Sequence, residues 1–203
     1  MAENLPVNFT IPQEGSLASY SWTDIQAGIA YRSFYASALK GISSTELCLL
    51  TNLFETYELS TEKQGTGSPL YWIFNAFPFT LPSEIADSAA LVRFRWRFRR
   101  SGALGIGSGT LKVKLIKISG VTETDVSNEV ETATLSADNG DSVESNQILK
   151  LLTTKTHFSI GDILALKFTF NNSNLHYAQL YYDPLETTAD TNIILNVPFK
   201  VDL

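Results

Sequence analysis

The chain is poor in residues that carry chemistry on their own. Its 203 residues include one cysteine, Cys48, and two histidines, His157 and His176. A single cysteine excludes an internal disulfide framework, and no Cys/His spacing matches a zinc site. Cys48 lies in the apolar run LCLL, where a buried, inert thiol is expected. Charged residues make up only 18% of the chain and the net charge is −6, which excludes nucleic-acid binding by bulk electrostatics. No run approaches the ~18 apolar residues that a membrane-spanning helix needs. Residues 1–15, MAENLPVNFTIPQEG, have neither a basic start nor an apolar core, so no signal peptide is expected there. Nucleic acid and membrane are set aside as partners, and folding in a cytoplasm is expected.

What the chain does have is a period of two. In residues 91–100, LVRFRWRFRR, the side chains of Val92, Phe94, Trp96 and Phe98 alternate with Arg93, Arg95, Arg97 and Arg99. Strict alternation over this length is a strand signal, not a helix signal. The apolar side must be buried. On the other side four like charges repel, so carboxylates of neighbouring strands, another subunit or phosphates should meet them. Five of the six arginines fall between positions 93 and 100. Residues 88–122 hold eight basic residues and no acidic one, whereas residues 123–144 hold seven acidic residues and no basic one. Hairpin pairing would set Glu129 and Glu131 opposite Lys112, Lys114 or the arginines. The aromatics of this strand lie on the face away from the arginines, so bases could not stack beside the guanidiniums, as a single-strand groove requires.

Residues 1–19, with Pro6 and Pro12, read as an extended arm, and residues 20–203 as one β-sandwich domain. Strands are predicted in 29–36, 47–59, 70–81, 91–100, 109–119, 148–158, 164–170, 175–182 and 193–203, the last broken by Pro198. Residues 60–69 and 101–109 read as loops. Nine to eleven strands, no helix longer than two turns and no repeat predict an antiparallel β-sandwich of jelly-roll type.

Motifs of reaction chemistry are scarce. Gly102, Gly105, Gly107 and Gly109 could suggest a phosphate loop, but a strand follows them rather than a helix, and Gly-Lys-Ser/Thr is absent. Neither histidine sits beside a nucleophile motif, so packing or surface roles are expected for both. Asp138, Asp141 and Glu144, with Asn139, offer oxygen ligands for calcium, but their spacing is not that of an EF-hand and the same residues make a turn. No pair of acids is singled out for sugar hydrolysis. Trp22, Trp72, Tyr177 and Tyr181 could form a sugar-stacking platform, or belong to core and interface, where such residues are enriched. No catalytic residue or cofactor is assigned, and a protein without enzymatic activity is expected.

Two stretches carry a family likeness. Residues 20–35, YSWTDIQAGIAYRSFY, resemble the aromatic-rich opening, with Asp, Ala-Gly and Phe-Tyr, of structural proteins of tailed viruses. Residues 158–170, FSIGDILALKFTF, resemble a turn-and-strand phrase of jelly-roll virion proteins, in which Gly161 supplies the bend and Asp162 bonds nearby amides. The resemblance implies a capsid decoration, minor capsid, tail or fibre protein, made in a host cytoplasm and resident in the virion. It implies a homo-oligomer, a trimer among the options, with other virion proteins as partners. The arm and Arg93, Arg95, Arg97 and Arg99, as interface ion-pair donors, would carry assembly. The rival expectation is a carbohydrate-binding module or a host-glycan-binding fibre head.

Overall fold

The structure is a computed structural model that describes residues 18–19, 28–40, 45–51, 60–64, 69–100, 106–138, 140–170, 176–182 and 193–200. The described residues form strands and connections, with no helix. In chain order the strands are β1 (Ala18–Ser19), β2 (Ile29–Lys40), β3 (Thr45–Leu50), β4 (Ser60–Gln64), β5 (Leu70–Ala76) and β6 (Ser83–Ile85). Next come β7 (Ala89–Arg99), β8 (Gly107–Gly109), β9 (Leu111–Ser119), β10 (Thr122–Asp125), β11 (Val130–Glu131) and β12 (Leu135–Ala137). The series ends with β13 (Ser142–Leu152), β14 (Thr156–Phe158), β15 (Ile163–Phe170), β16 (Tyr177–Tyr181) and β17 (Ile194–Lys200). The predicted arm lies outside the described residues apart from β1, which pairs Ala18 with Arg32 and Ser19 with Tyr31.

One curled sheet runs in the order β10-β9-β15-β5-β3-β2-β17-β7-β16-β4, and β8 pairs with β12 in a small second sheet. All pairings are antiparallel except β3 with β5. The curl lays the arginine strand over β15 and β5, giving the all-β sandwich that the alternation predicted. Phe94 meets Phe168 edge-on at 5.0 Å, and Phe98 meets Phe170 at 6.4 Å. Phe74 touches both Phe168 and Tyr182, at 6.0 and 5.5 Å. Each ring buried in this way contributes about 1.5–3 kcal/mol, so the aromatic faces of β5, β7 and β15 hold the two layers together.

Among the described residues there are seventeen strands where nine to eleven were expected; β1, β4, β6, β8, β10, β11 and β12 lie in stretches that were read as arm, as loop or as having no strand. Residues 60–64, read as loop for their polarity, form β4, since β16 supplies the whole ladder from Tyr177–Gln64 to Tyr181–Ser60. The strand expected to start at residue 148 starts at Ser142, where the polar SVESNQ sequence pairs rung by rung with β7. Pro198 does not break β17. It sits where that strand passes from β7 to β6, and its carbonyl accepts from Ala86 N at 2.9 Å. The missing N–H thus falls at a junction between partners.

Candidate functional site

The arginine ladder lies at the centre of an outward face. β13 pairs with the full length of β7, from Ser142–Arg99 to Leu152–Ala89. The other edge of β7 is shared: β17 takes residues 91–93, and β16 takes Arg95, Arg97 and Arg99 opposite Tyr181, Gln179 and Tyr177. Side chains alternate across a sheet, so these rungs place Tyr177, Gln179 and Tyr181 on the arginine side, with Ser142, Glu144, Asn146 and Ile148 beyond. The opposite side of β7 is sealed: Val92, Phe94, Trp96 and Phe98 are all buried.

Among the described residues Glu144 is the carboxylate that meets Arg95 and Arg97. It accepts from Arg95 Nη2 through Oε2 and lies 3.9 Å from Arg97 Nε. The Tyr181 hydroxyl reaches across β7 to donate to its Oε1 at 2.8 Å. Partial burial raises the Glu144 pKa, but the hydrogen bonds from Tyr181 and Arg95 and the charges of Arg95 and Arg97 outweigh it and hold the carboxyl below its usual range. Burial, then the hydrogen bond to Glu144, pushes the Tyr181 hydroxyl up. The guanidinium of Arg99 lies 4.3 Å from the Tyr177 ring centroid, and that of Arg95 lies 5.2 Å from that of Tyr181. Aromatic rings do therefore stand beside the arginines, contrary to expectation. They come from the neighbouring strand, which no period within β7 could reveal.

The acidic run meets the basic one mostly elsewhere. Glu131 lies opposite Lys112 by register, and Glu129 pairs with Lys112 at 3.2 Å. Lys114 reaches Asp125 at 2.6 Å, while Glu123 goes to Lys167 of β15, outside the basic run, also at 2.6 Å. Glu144, at the far end of the run, goes to Arg95 and Arg97, because the chain turns back between β12 and β13. Asp141 N donates to Asp138 O at 3.0 Å around Gly140, whose φ is 81°, so these acids shape a turn. Among the described residues no group of His, Cys, Asp or Glu could hold a metal ion.

The other candidates are placed as follows. Trp72 is fully buried and cannot stack a sugar, which corrects that expectation; Trp22 lies outside the described residues. Cys48 is buried and donates to Ser37 O at 3.6 Å. His176 is buried against Phe98, ring to ring at 5.4 Å, and burial followed by the charge of Arg100 lowers its pKa. His157 sits on β14, and its carbonyl accepts from Lys117 Nζ at 2.7 Å. Gly109 is needed for contact: a Cβ there would stand 2.9 Å from the Phe98 and Phe170 rings. Asp162 does what the sequence phrase implied, accepting from Ser159 N at 2.7 Å, with Lys117 Nζ also at 2.7 Å. A feature with no sequence signal is an open cavity of about 480 Å³ near Arg32, walled by Phe34, Leu49, Phe77, Phe79 and Leu81.

No family model and no curated protein matches the sequence. Solved structures do. An α-amino acid ester hydrolase matches with a TM-score of 0.57 at 12% identity, over 82% of this chain and 36% of its own. An aminopeptidase from a marine sediment Thaumarchaeota archaeon matches with a TM-score of 0.55 at 8% identity, over 83% and 37%. The chain thus spans little more than a third of the proteins whose fold it shares. A structure of infectious bursal disease virus, Gx strain, covers 93% of this chain and 56% of its own at 12% identity; its TM-score of 0.28 carries no argument. These matches correct the expectation of a protein without enzymatic activity: the fold occurs within hydrolases, so a β-sandwich of this kind does not set the chain apart from enzymes.

Proposed function

We propose that the chain is an assembly protein that self-associates and docks onto a larger particle, with the outward face of β7 as its docking surface. The observation that carries this reading is the local charge. Among the described residues of β16, β7 and β13, the ladder rungs carry four arginines, Arg93, Arg95, Arg97 and Arg99, and one glutamate, Glu144, in a protein of net charge −6. Such an excess, held on one sheet face beside tyrosines, favours a partner rich in carboxylates and makes its docking salt-dependent. The likeness of residues 20–35 and 158–170 to virion proteins supports a viral shell or tail as the particle.

Light scattering on the wild type and an Arg93→Gln/Arg97→Gln variant, at low and high salt, tests the docking face. The wild type is expected to form higher assemblies that salt loosens, and the variant to stop at a smaller species. Equal masses and equal salt response in the two would sink this reading. A second reading rests on the hydrolase matches: the chain forms part of a hydrolase acting on amino acid esters or peptides. Hydrolysis of α-amino acid esters or anilides by the purified chain would favour it.

A further inference from the structure

We infer that the outer edge of β13 pairs antiparallel with β13 of a second copy, about a two-fold axis at Gln147. The inference deepens the self-association part of the proposed function and rests on it; the strand edge borders the docking face and shares Glu144 with it. It begins with which main-chain groups of β13 are committed to β7. At the two ends of the ladder Thr153 N donates to Ser88 O at 3.0 Å, and Asp141 O accepts from Arg100 N at 3.2 Å. In an antiparallel pair alternate residues bond the partner strand, so the odd-numbered residues of β13 face β7. The N–H and C=O groups of Ser142, Glu144, Asn146, Ile148 and Lys150 then point off the sheet.

The fold covers this edge at one end. Leu152 N donates to Asn128 Oδ1 at 2.7 Å, and Leu152 O accepts from Asn128 N at 3.0 Å. From Ser142 to Lys150, β13 has no other paired strand among the described residues. The Asn146 carbonyl receives only a long 3.4 Å contact from Ser145 Oγ. Edge strands are ordinarily protected by bulges, prolines or several lysines. β13 keeps register with β7 over its whole length, contains no proline and has one lysine.

Charge and apolar exposure select the occupant and the register. With the axis at Gln147, Glu144 stands opposite Lys150 of the other copy, and Asn146 opposite Ile148, each twice by symmetry. Outward groups face outward groups on every such rung, and opposite charges meet. The two Ile148 side chains become diagonal neighbours. Ile148 is 72% exposed, and the pairing gives it a contact. The strand is self-complementary, as a two-fold interface requires.

The axis makes a geometric prediction. Gln147 would face its own copy in a non-hydrogen-bonded pair, with Cα atoms about 4.5 Å apart, within the range of a disulfide. Under mild oxidation Gln147→Cys should give a covalent dimer and Lys150→Cys should not, since the axis sets the two 150 positions far apart. Lys150→Glu should weaken dimerisation about ten-fold by setting glutamate against glutamate. Ile148→Pro removes an outward N–H without touching the β7 ladder, and should leave a monomer in high salt. A monomeric wild type at high salt, or no cross-link at 147, would overturn the inference, as would crosslinking at 150 equal to that at 147. Failure of the docking face appears elsewhere, as an unchanged salt response in the arginine variant with the edge dimer intact.

Discussion

The Tyr181 hydroxyl donates to Glu144 Oε1 at 2.8 Å across the strand between them, so one carboxylate ties β16 to β13 over the arginines of β7. Both groups are legible only in three dimensions. Thirty-seven positions separate them, and neither belongs to the alternating run that announces the site.

Glu144→Gln keeps the shape of this tie and removes its charge. Because the folded carboxyl titrates below its usual range, its contribution is complete above that range and is lost as the pH falls through the folded pKa. With the side chain about a third exposed, solvent screening limits the effect to roughly 0.5–1 kcal/mol. Urea midpoints should therefore be lower in the variant at pH 7, and the two proteins should converge in acid. Parallel curves at all pH values would show that the charge contributes nothing.

Asp162 offers a sharper acid transition. Its hydrogen bond from Lys117, with further ones from Ser119 and the Ser159 amide, holds its pKa near about 2 against an ordinary 3.8. The direction is the same: stability is present above pH 3.8 and is lost as the pH falls toward 2. Asp162→Asn should lower the urea midpoint at pH 6 and flatten its fall between pH 4 and 2, measured in unfolding titrations along a pH series. A variant that keeps the wild-type acid slope would assign that slope to other carboxylates.

The glycines separate space from backbone conformation. Gly109→Ala drives a methyl into the Phe98 and Phe170 rings and should cost about 1–3 kcal/mol. Gly120 has open space around it but a φ of 59°, so Gly120→Ala should cost about 1–2 kcal/mol through the backbone alone. Thermal unfolding measures both. The near-ultraviolet dichroism of the aromatic core should change only for Gly109→Ala.

How much of this was legible follows from the range of each interaction. The burial of Phe94, Trp96 and Phe98 could be read from alternation within one strand, and Gly161–Asp162 from a local turn. The polar strands β4 and β13 could not, because STEKQ and SVESNQ have no apolar face and owe their conformation to β16 and β7. The same limit hid the tyrosines beside the arginines, whose register depends on a partner strand distant in sequence, Tyr177 opposite Arg99 and Tyr181 opposite Arg95. Trp72 was ambiguous for another reason: LYWIFNAF is aromatic on both faces, and only the packing of β5 decides which side is inward.

That decision can be tested by fluorescence. The chain has three tryptophans, of which Trp72 and Trp96 are fully buried. A Trp22→Phe variant reports on those two alone. Its emission should be blue-shifted, resist acrylamide quenching and stay flat across a panel of glycans. Trp96→Ala, which empties the largest space under the ladder, should lower stability by about 3–5 kcal/mol, whereas Trp96→Phe should cost less because most of the apolar contact is kept. Sugar-dependent quenching in the Trp22→Phe protein would instead require Trp72 or Trp96 to reach solvent, and would return Trp72 to the sugar-stacking set from which its burial removes it.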